Sequence, residues 1–407
     1  MVGAYGDWLE RLLGEGPAEL SFRHPRFTDV DAWRAEARAK TRELLAIPDL
    51  GGTPEAEVRA RRVVDGVEVE LLRWQLPNGP PTDAVFLKPA GATGPLPGIL
   101  ALHDHAGWKH VGYPKIADDG SSNHPIIQQG RETYYSGRAW ANEMAKRGYA
   151  VLCHDCFPFG SRRVLVGDVP EDIRWGEARD VTPEEAEKDI TAYNLWAAKH
   201  EDIWAKALCS AGTSWPGMCL ADDRRALEVL CARPEVDAAR IGCGGLSGGG
   251  IRTVFLAGLD ERIQCCVDVG LMTTWRDGML DKCYTWTWMV WAWLLPRYLD
   301  FPEILGLRAP LPTLVLNDLE DGLFSLSEMR RADAMLREVY EKAGAGDRYA
   351  CTFHPGPHKF DGAMQEEAFA WFDRWLKGDE ERAPSALDGI QIDSSPSPSL
   401  RSGSGSE

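Results

Sequence analysis

Ser247 stands among five glycines, with Gly244 and Gly245 before it and Gly248, Gly249 and Gly250 after it. A serine hydroxyl becomes a useful nucleophile where a neighbouring base takes its proton and backbone donors meet the negative charge that follows. The segment Gly245-Leu246-Ser247-Gly248-Gly249 fits G-x-S-x-G, a sharp strand-to-helix turn that lifts a serine Oγ above a sheet. A flexible linker would share this composition. Here, however, the glycines are bounded by "RIGC" on one side and an apolar, helix-compatible run on the other. The longer stretch "RPEVDAARIGCGGLSGGGIRTVFLAGL" reads as helix, strand, turn and helix in that order. Ser247 is therefore the expected nucleophile.

The base and the acid that orients it should follow the serine along the chain. Only two histidines do so, His354 and His358. His358 lies in "HPGPHKFDG", a loop after a strand and before the last helix, where a base can reach over the sheet. His354 sits nearer the strand and precedes a proline, so a structural histidine is expected there. For the acid, "LVLNDLEDGLF" offers Asp318, Glu320 and Asp321. Asp321, at the end of the turn, is chosen over Asp318.

Two backbone donors are needed for the oxyanion. One should be the N–H of Gly248; the other should come from the loop after "GILALHDHAG", near His105. His103, Asp104 and His105 could instead ligate a metal, but no third and fourth ligands stand at a recognised spacing. "CHDC", with Cys153 and Cys156, has redox or metal-binding spacing too. The apolar "GYAVLCHD" before it reads as a buried strand, which would send those side chains to different faces. The expectation is no metal and no cofactor.

These groups require a scaffold. "DVDAWRAEARAKTRELLAI" reads as a helix with an Asp start signal. From Val63 the rhythm becomes that of strands, and beyond "LPGILALHDHAG" strands and helices alternate to the last helix, "GAMQEEAFAWFDRWLKG". Repeated strand–helix units imply an α/β fold, a mostly parallel sheet flanked by helices. Two segments interrupt the alternation, at about 164–215 and 272–310, and are expected to form a cap. The chain then divides into a helical N-terminal segment (1–62), a catalytic domain (63–383) and a Ser/Pro-rich tail (384–407) expected to be disordered.

Composition sets outer bounds. With 407 residues, 44% of them apolar, there is material for a large core. A net charge of −17 leaves no footprint for nucleic acid or an anionic membrane surface. The N-terminus lacks the basic and apolar regions of a secretory signal. Ten cysteines without framework spacing fit free thiols, so the cytoplasm is the expected compartment.

Taken together, "LPGILALHDHAG", "RPEVDAARIGCGGLSGGG", "LPTLVLNDLEDGLFSL" and "HPGPHKF" resemble the dienelactone hydrolase and acetyl xylan esterase branch of the α/β-hydrolases over roughly Val63 to Lys377. The resemblance implies Ser247 as nucleophile, Asp321 as acid and His358 as base. It departs from that branch where the oxyanion loop usually reads His-Gly-x-Gly, since Asp104 and Ala106 replace the glycines here.

The expected activity is hydrolysis of a small acyl ester or lactone through an acyl-enzyme on Ser247. The same triad could serve a peptidase, amidase or C–C bond hydrolase, and the fold could survive as a non-catalytic binding protein. Trp108, Trp286 and Trp288 are the expected substrate contacts. Within "CYTWTWMVWAWLLPRYL", Cys283 to Leu299, a helix would place Trp286, Met289, Val290 and Trp293 on one stripe and Trp288, Trp291 and Leu295 on another. One stripe would wall the pocket; the other would pack on the body or on a second subunit of a homo-oligomer. The run is too short to span a membrane.

Overall fold

In the computed structural model, which describes residues 2–14, 16–121, 124–182 and 184–377, nine strands form one sheet. They are β1 (Glu57–Val64), β2 (Val67–Trp74), β3 (Thr82–Pro89), β4 (Leu96–Ala101), β5 (Ala150–His154), β6 (Val236–Leu246), β7 (Ile263–Val269), β8 (Thr313–Asp318) and β9 (Tyr349–His354). Their order across the sheet is β1-β2-β3-β5-β4-β6-β7-β8-β9. β1, β2, β3 and β5 pair antiparallel. From β5 through β4 to β9 every pairing is parallel.

Side chains alternate across this sheet and create two cores. Leu100 on β4 and Leu102 just beyond it join the cluster that includes Trp33, Trp215, Phe255 and Leu336. Ile99 and Ala101 face the opposite side, with Trp140, Phe369 and Phe372. The cysteines obey the same rule: Cys153 belongs to one core and Cys156 to the other, and all ten thiols are free.

The helix at Val30–Leu45 starts on Asp29, whose carboxylate accepts from the N–H groups of Asp31 and Ala32. It is fastened to the helix following Ser247, because Arg38 donates to the carbonyl of Gly258 (2.8 Å) and Arg42 to that of Leu259 (2.6 Å).

Three expectations are corrected. The boundary between residues 62 and 63 cuts through β1, because the hairpin turn at Asp65-Gly66 joins two strands and the sheet begins at Glu57. The connection between β4 and β5 holds two helices, Pro125–Tyr135 and Trp140–Lys146, where simple alternation of strand and helix implies one. The Cys283–Leu299 stretch is not a helix but three single turns, at Cys283–Thr285, Trp288–Val290 and Leu295–Arg297. Thr285 turns its hydroxyl onto the carbonyls of Lys282 and Leu323, Thr287 caps the N–H of Met289, and Leu294 adopts φ 69°, all of which break helical continuity. Residues 384–407 lie outside the described residues. Among those described, no helix is long and apolar enough to cross a membrane.

Candidate active site

β6 delivers Ser247 at its C-terminal end, and the helix Gly248–Leu259 leaves from it. The strained backbone at this turn belongs to the serine itself, with φ 56° and ψ −114°. A conformation so sparsely populated costs on the order of 1–3 kcal/mol and persists where its surroundings over-determine it. Those surroundings are tight. A Cβ at Gly245 or at Gly249 would lie 2.2 Å from the carbonyl oxygen of Leu102, and one at Gly248 would lie 2.6 Å from the backbone nitrogen of His105. The glycines are therefore required by close approach of the β4 loop. The N–H of Ser247 donates to the carbonyl of Val269 (2.8 Å), which pins the turn to the end of β7.

His358 comes from the loop after β9, and its Nδ1 lies 2.7 Å from Oδ2 of Asp321. The Asp321 side chain is fully buried, and its Oδ1 accepts from the N–H of Leu323 (2.8 Å). Asp318, three residues earlier at the end of β8, accepts instead from the backbone N–H of Lys359 (3.0 Å). Burial lifts the Asp318 carboxyl to about 7, against the pull of that N–H. His354 turns away to Glu367 (2.8 Å), which raises its pKa.

Asp318, Asp321 and His358 bring ligand-type atoms within 4.8 Å of one another. His358 Nδ1 and Asp321 Oδ2 are already engaged with each other, and Lys359 N–H occupies Asp318 Oδ2, so the hydrogen bonds account for the cluster. The histidines of "HDH" diverge. His103 has Nε2 3.9 Å from the Cys156 thiol, whereas His105 Nε2 lies 2.5 Å from Glu201 Oε1.

Ser247 and His358 both line a cavity of about 380 Å³. Its walls include Tyr134, Glu201, Trp286 and Val290. Of the expected substrate contacts, Trp286 is there, stacked on Trp291 with ring centroids 5.3 Å apart. Trp108 and Trp288 are not part of the lining. Trp108 packs its ring over Gly130, where a Cβ would meet it at 2.4 Å. Trp288 offers its backbone N–H to Glu201 Oε2 (3.3 Å). Trp293, expected on the same stripe as Trp286, is exposed.

Glu201 is the residue that sequence reasoning missed. Its Oε1 faces His105 Nε2 and Lys109 Nζ, and its Oε2 accepts from Thr287 Oγ1 (3.0 Å) and the N–H of Trp288. Four donors saturate a carboxylate. Burial works to raise the Glu201 pKa, but His105 and Lys109 outweigh it and hold the group well below the usual carboxylate range. One side chain thus ties together the first insertion, the loop after β4 and the tryptophan-rich insertion. Its only local sequence signal is a charge at the start of "EDIWAKALCS", indistinguishable from a solvated helix end.

The sheet order, the serine turn and the late acid and histidine loops are those of the α/β-hydrolase fold. No family model matches the chain. "Putative hydrolase YtaP" of Bacillus subtilis (strain 168) is 26% identical over 348 residues, covering 84% of this chain and all of that protein. Among solved structures, a "putative acetyl xylan esterase" from Bacteroides fragilis superposes with a TM-score of 0.61 at 19% identity, covering 87% of this chain and 82% of that one. A glucuronoyl esterase from Solibacter usitatus gives a TM-score of 0.60 at 16% identity, with 89% and 98% coverage.

Proposed function

We propose that the chain is a serine hydrolase that cleaves a carboxylic ester with a small acyl group through an acyl-enzyme on Ser247. The observation that carries this reading is the Asp321–His358 hydrogen bond, 2.7 Å long, in a loop pair that brings His358 to the same cavity as Ser247. In this reading His358 Nε2 takes the proton as Ser247 Oγ attacks the ester carbonyl. Asp321 holds the ring by Nδ1 and stabilises the imidazolium. The same proton then passes to the leaving alcohol, and a water activated by His358 releases the acid. The N–H groups of Gly248 and His105 are assigned to the oxyanion.

The substrate class draws support from the solved relatives, which are named as esterases of carbohydrate substrates, and from the cavity itself. An aromatic face, Trp286, and the hydroxyl of Tyr134 suit an acylated sugar or a small neutral ester. The test is turnover of p-nitrophenyl acetate beside the matching anilide, together with covalent labelling by a fluorophosphonate. Hydrolysis of the ester alone, with the label on Ser247, is expected. Comparable cleavage of the anilide would make the protein an amidase, and a pure protein that neither turns over nor labels would end the reading.

A further inference from the structure

Lys115 is a buried lysine in a place where burial is costly. It lies in the loop after β4, is 4% exposed, and its pKa is pushed down to about 8 by burial. A cation in such a place needs its three donors satisfied. Two of them are, since Nζ donates to the carbonyl oxygens of Asp104 (2.8 Å) and His105 (2.9 Å), and the Asp104 carboxylate, 3.6 Å away, balances the charge. The ring of Phe159, 4.7 Å away, covers the ammonium.

Two of those contacts fix peptide planes. In a trans peptide the C=O of one residue and the N–H of the next point in opposite directions. Holding the Asp104 carbonyl on Lys115 therefore turns the His105 N–H away from the lysine. That nitrogen borders the serine turn, since a Cβ on Gly248 would touch it at 2.6 Å. Among the described residues the His105 N–H has no acceptor. The loop also needs holding, because Ala106 and Gly107 both take positive φ, 44° and 71°, and a non-glycine residue in that region persists only where its surroundings hold it.

Resting on the ester-hydrolase reading above, we infer that Lys115 is a positioning residue: by clamping the carbonyls of Asp104 and His105 it aims the His105 N–H at the oxygen of the tetrahedral intermediate formed on Ser247. Lys115 touches neither substrate nor nucleophile. Its effect should thus appear in the transition state and not in ground-state binding.

The experiment compares the full-length protein with Lys115→Met and with the double variant Lys115→Met/Asp104→Asn. The double variant removes both buried charges together, so a loss caused only by an Asp104 carboxylate without its cation, left with the Tyr135 hydroxyl alone, disappears in it. Expected in both variants is a fall in kcat of roughly 10- to 100-fold with KM on p-nitrophenyl acetate nearly unchanged, because one oxyanion donor has lost its aim. Affinity for butylboronic acid, whose tetrahedral adduct places an oxygen in the same site, should fall by a similar factor, while affinity for butyrate stays constant. A double variant with wild-type kcat, a loss carried by KM, or an equal weakening of boronate and butyrate would overturn the inference. So would a double variant that does not fold, since Lys115 would then be a stability element. Failure of wild-type protein to hydrolyse the ester and to take up a fluorophosphonate would instead overturn the ester-hydrolase reading, which keeps the two results apart.

Discussion

Oδ2 of Asp321 lies 2.7 Å from Nδ1 of His358, and Oδ1 of the same carboxylate is held by the N–H of Leu323. Asp318, only three residues away and equally buried, makes no such contact with the histidine; its Oδ2 accepts from Lys359 instead. The two aspartates therefore have different jobs. Asp321 presents a fixed acceptor to the ring, whereas Asp318 closes the histidine loop against the end of β8.

That difference gives a paired prediction. Asp321→Asn should lower kcat by on the order of 10⁴-fold, because the imidazole loses the acceptor that fixes its tautomer. Asp318→Asn should retain most activity and show its effect as a change in Tm. Steady-state kinetics beside thermal unfolding of the two proteins checks this, and a crippled Asp318→Asn with an active Asp321→Asn would reverse the assignment.

Ser247→Ala should abolish ester hydrolysis, with a loss of roughly 10⁴- to 10⁶-fold in kcat. Stability should not suffer in proportion, since the side chain contributes little packing and alanine tolerates the φ of 56° no worse than serine. His358→Ala should be nearly as severe. His354→Ala should be mild for activity, its partner Glu367 lying away from the cavity lining. Activity of each purified variant, with circular dichroism to confirm folding, decides the matter.

The strands and the serine turn were legible because their signals are local: apolar runs bounded by turn residues, and glycines crowded around one serine. The loops that bring Asp321 against His358 were legible through their position after successive strands. What the sequence concealed is long-range. The tryptophans of Cys283–Leu299 fit a helical wheel, yet Thr285 and Thr287 redirect their hydroxyls to backbone and to Glu201, and the turn at Leu294 breaks the run. Tertiary contacts thus overrode periodicity. Lys115 and Glu201 were hidden for the same reason. Their partners lie 10 or 11 and about 90 residues away, and nothing in their immediate neighbours distinguishes them from surface charges.

Trp286 should set ester preference where Trp108, Trp288 and Trp293 do not. Trp286 alone of these four lines the cavity. Trp286→Phe, which keeps a ring stacked on Trp291 and tilted against Trp275, should shift the kcat/KM ranking among acetyl, butyryl and aromatic esters with little loss of Tm. Trp293→Ala, at an exposed position, should leave both ranking and Tm unchanged. An unaltered ranking in Trp286→Phe and Trp286→Ala would remove the tryptophan from the substrate site.

Asp268, on β7 beneath the serine turn, predicts how stability depends on pH. It is fully buried, neither carboxylate oxygen has a hydrogen-bond partner among the described residues, and burial pushes its pKa from 3.8 to about 8. The folded protein therefore holds a proton there that the unfolded chain releases above its own pKa of 3.8. Stability falls with rising pH wherever the native state binds more protons than the unfolded state. The contribution of this group is thus fully present below pH 3.8, declines across the window up to about 8, and is lost above it. Asp268→Asn keeps the shape and removes the ionisation. Its Tm advantage over the wild type should be smallest in mildly acidic buffer and grow steadily toward pH 8, because folding of the wild type requires taking up a proton that becomes scarcer as pH rises. Thermal unfolding of both proteins between pH 5 and pH 9 measures that difference. A constant offset between the two curves, or one that shrinks as pH rises, would show that Asp268 is already ionised in the folded state.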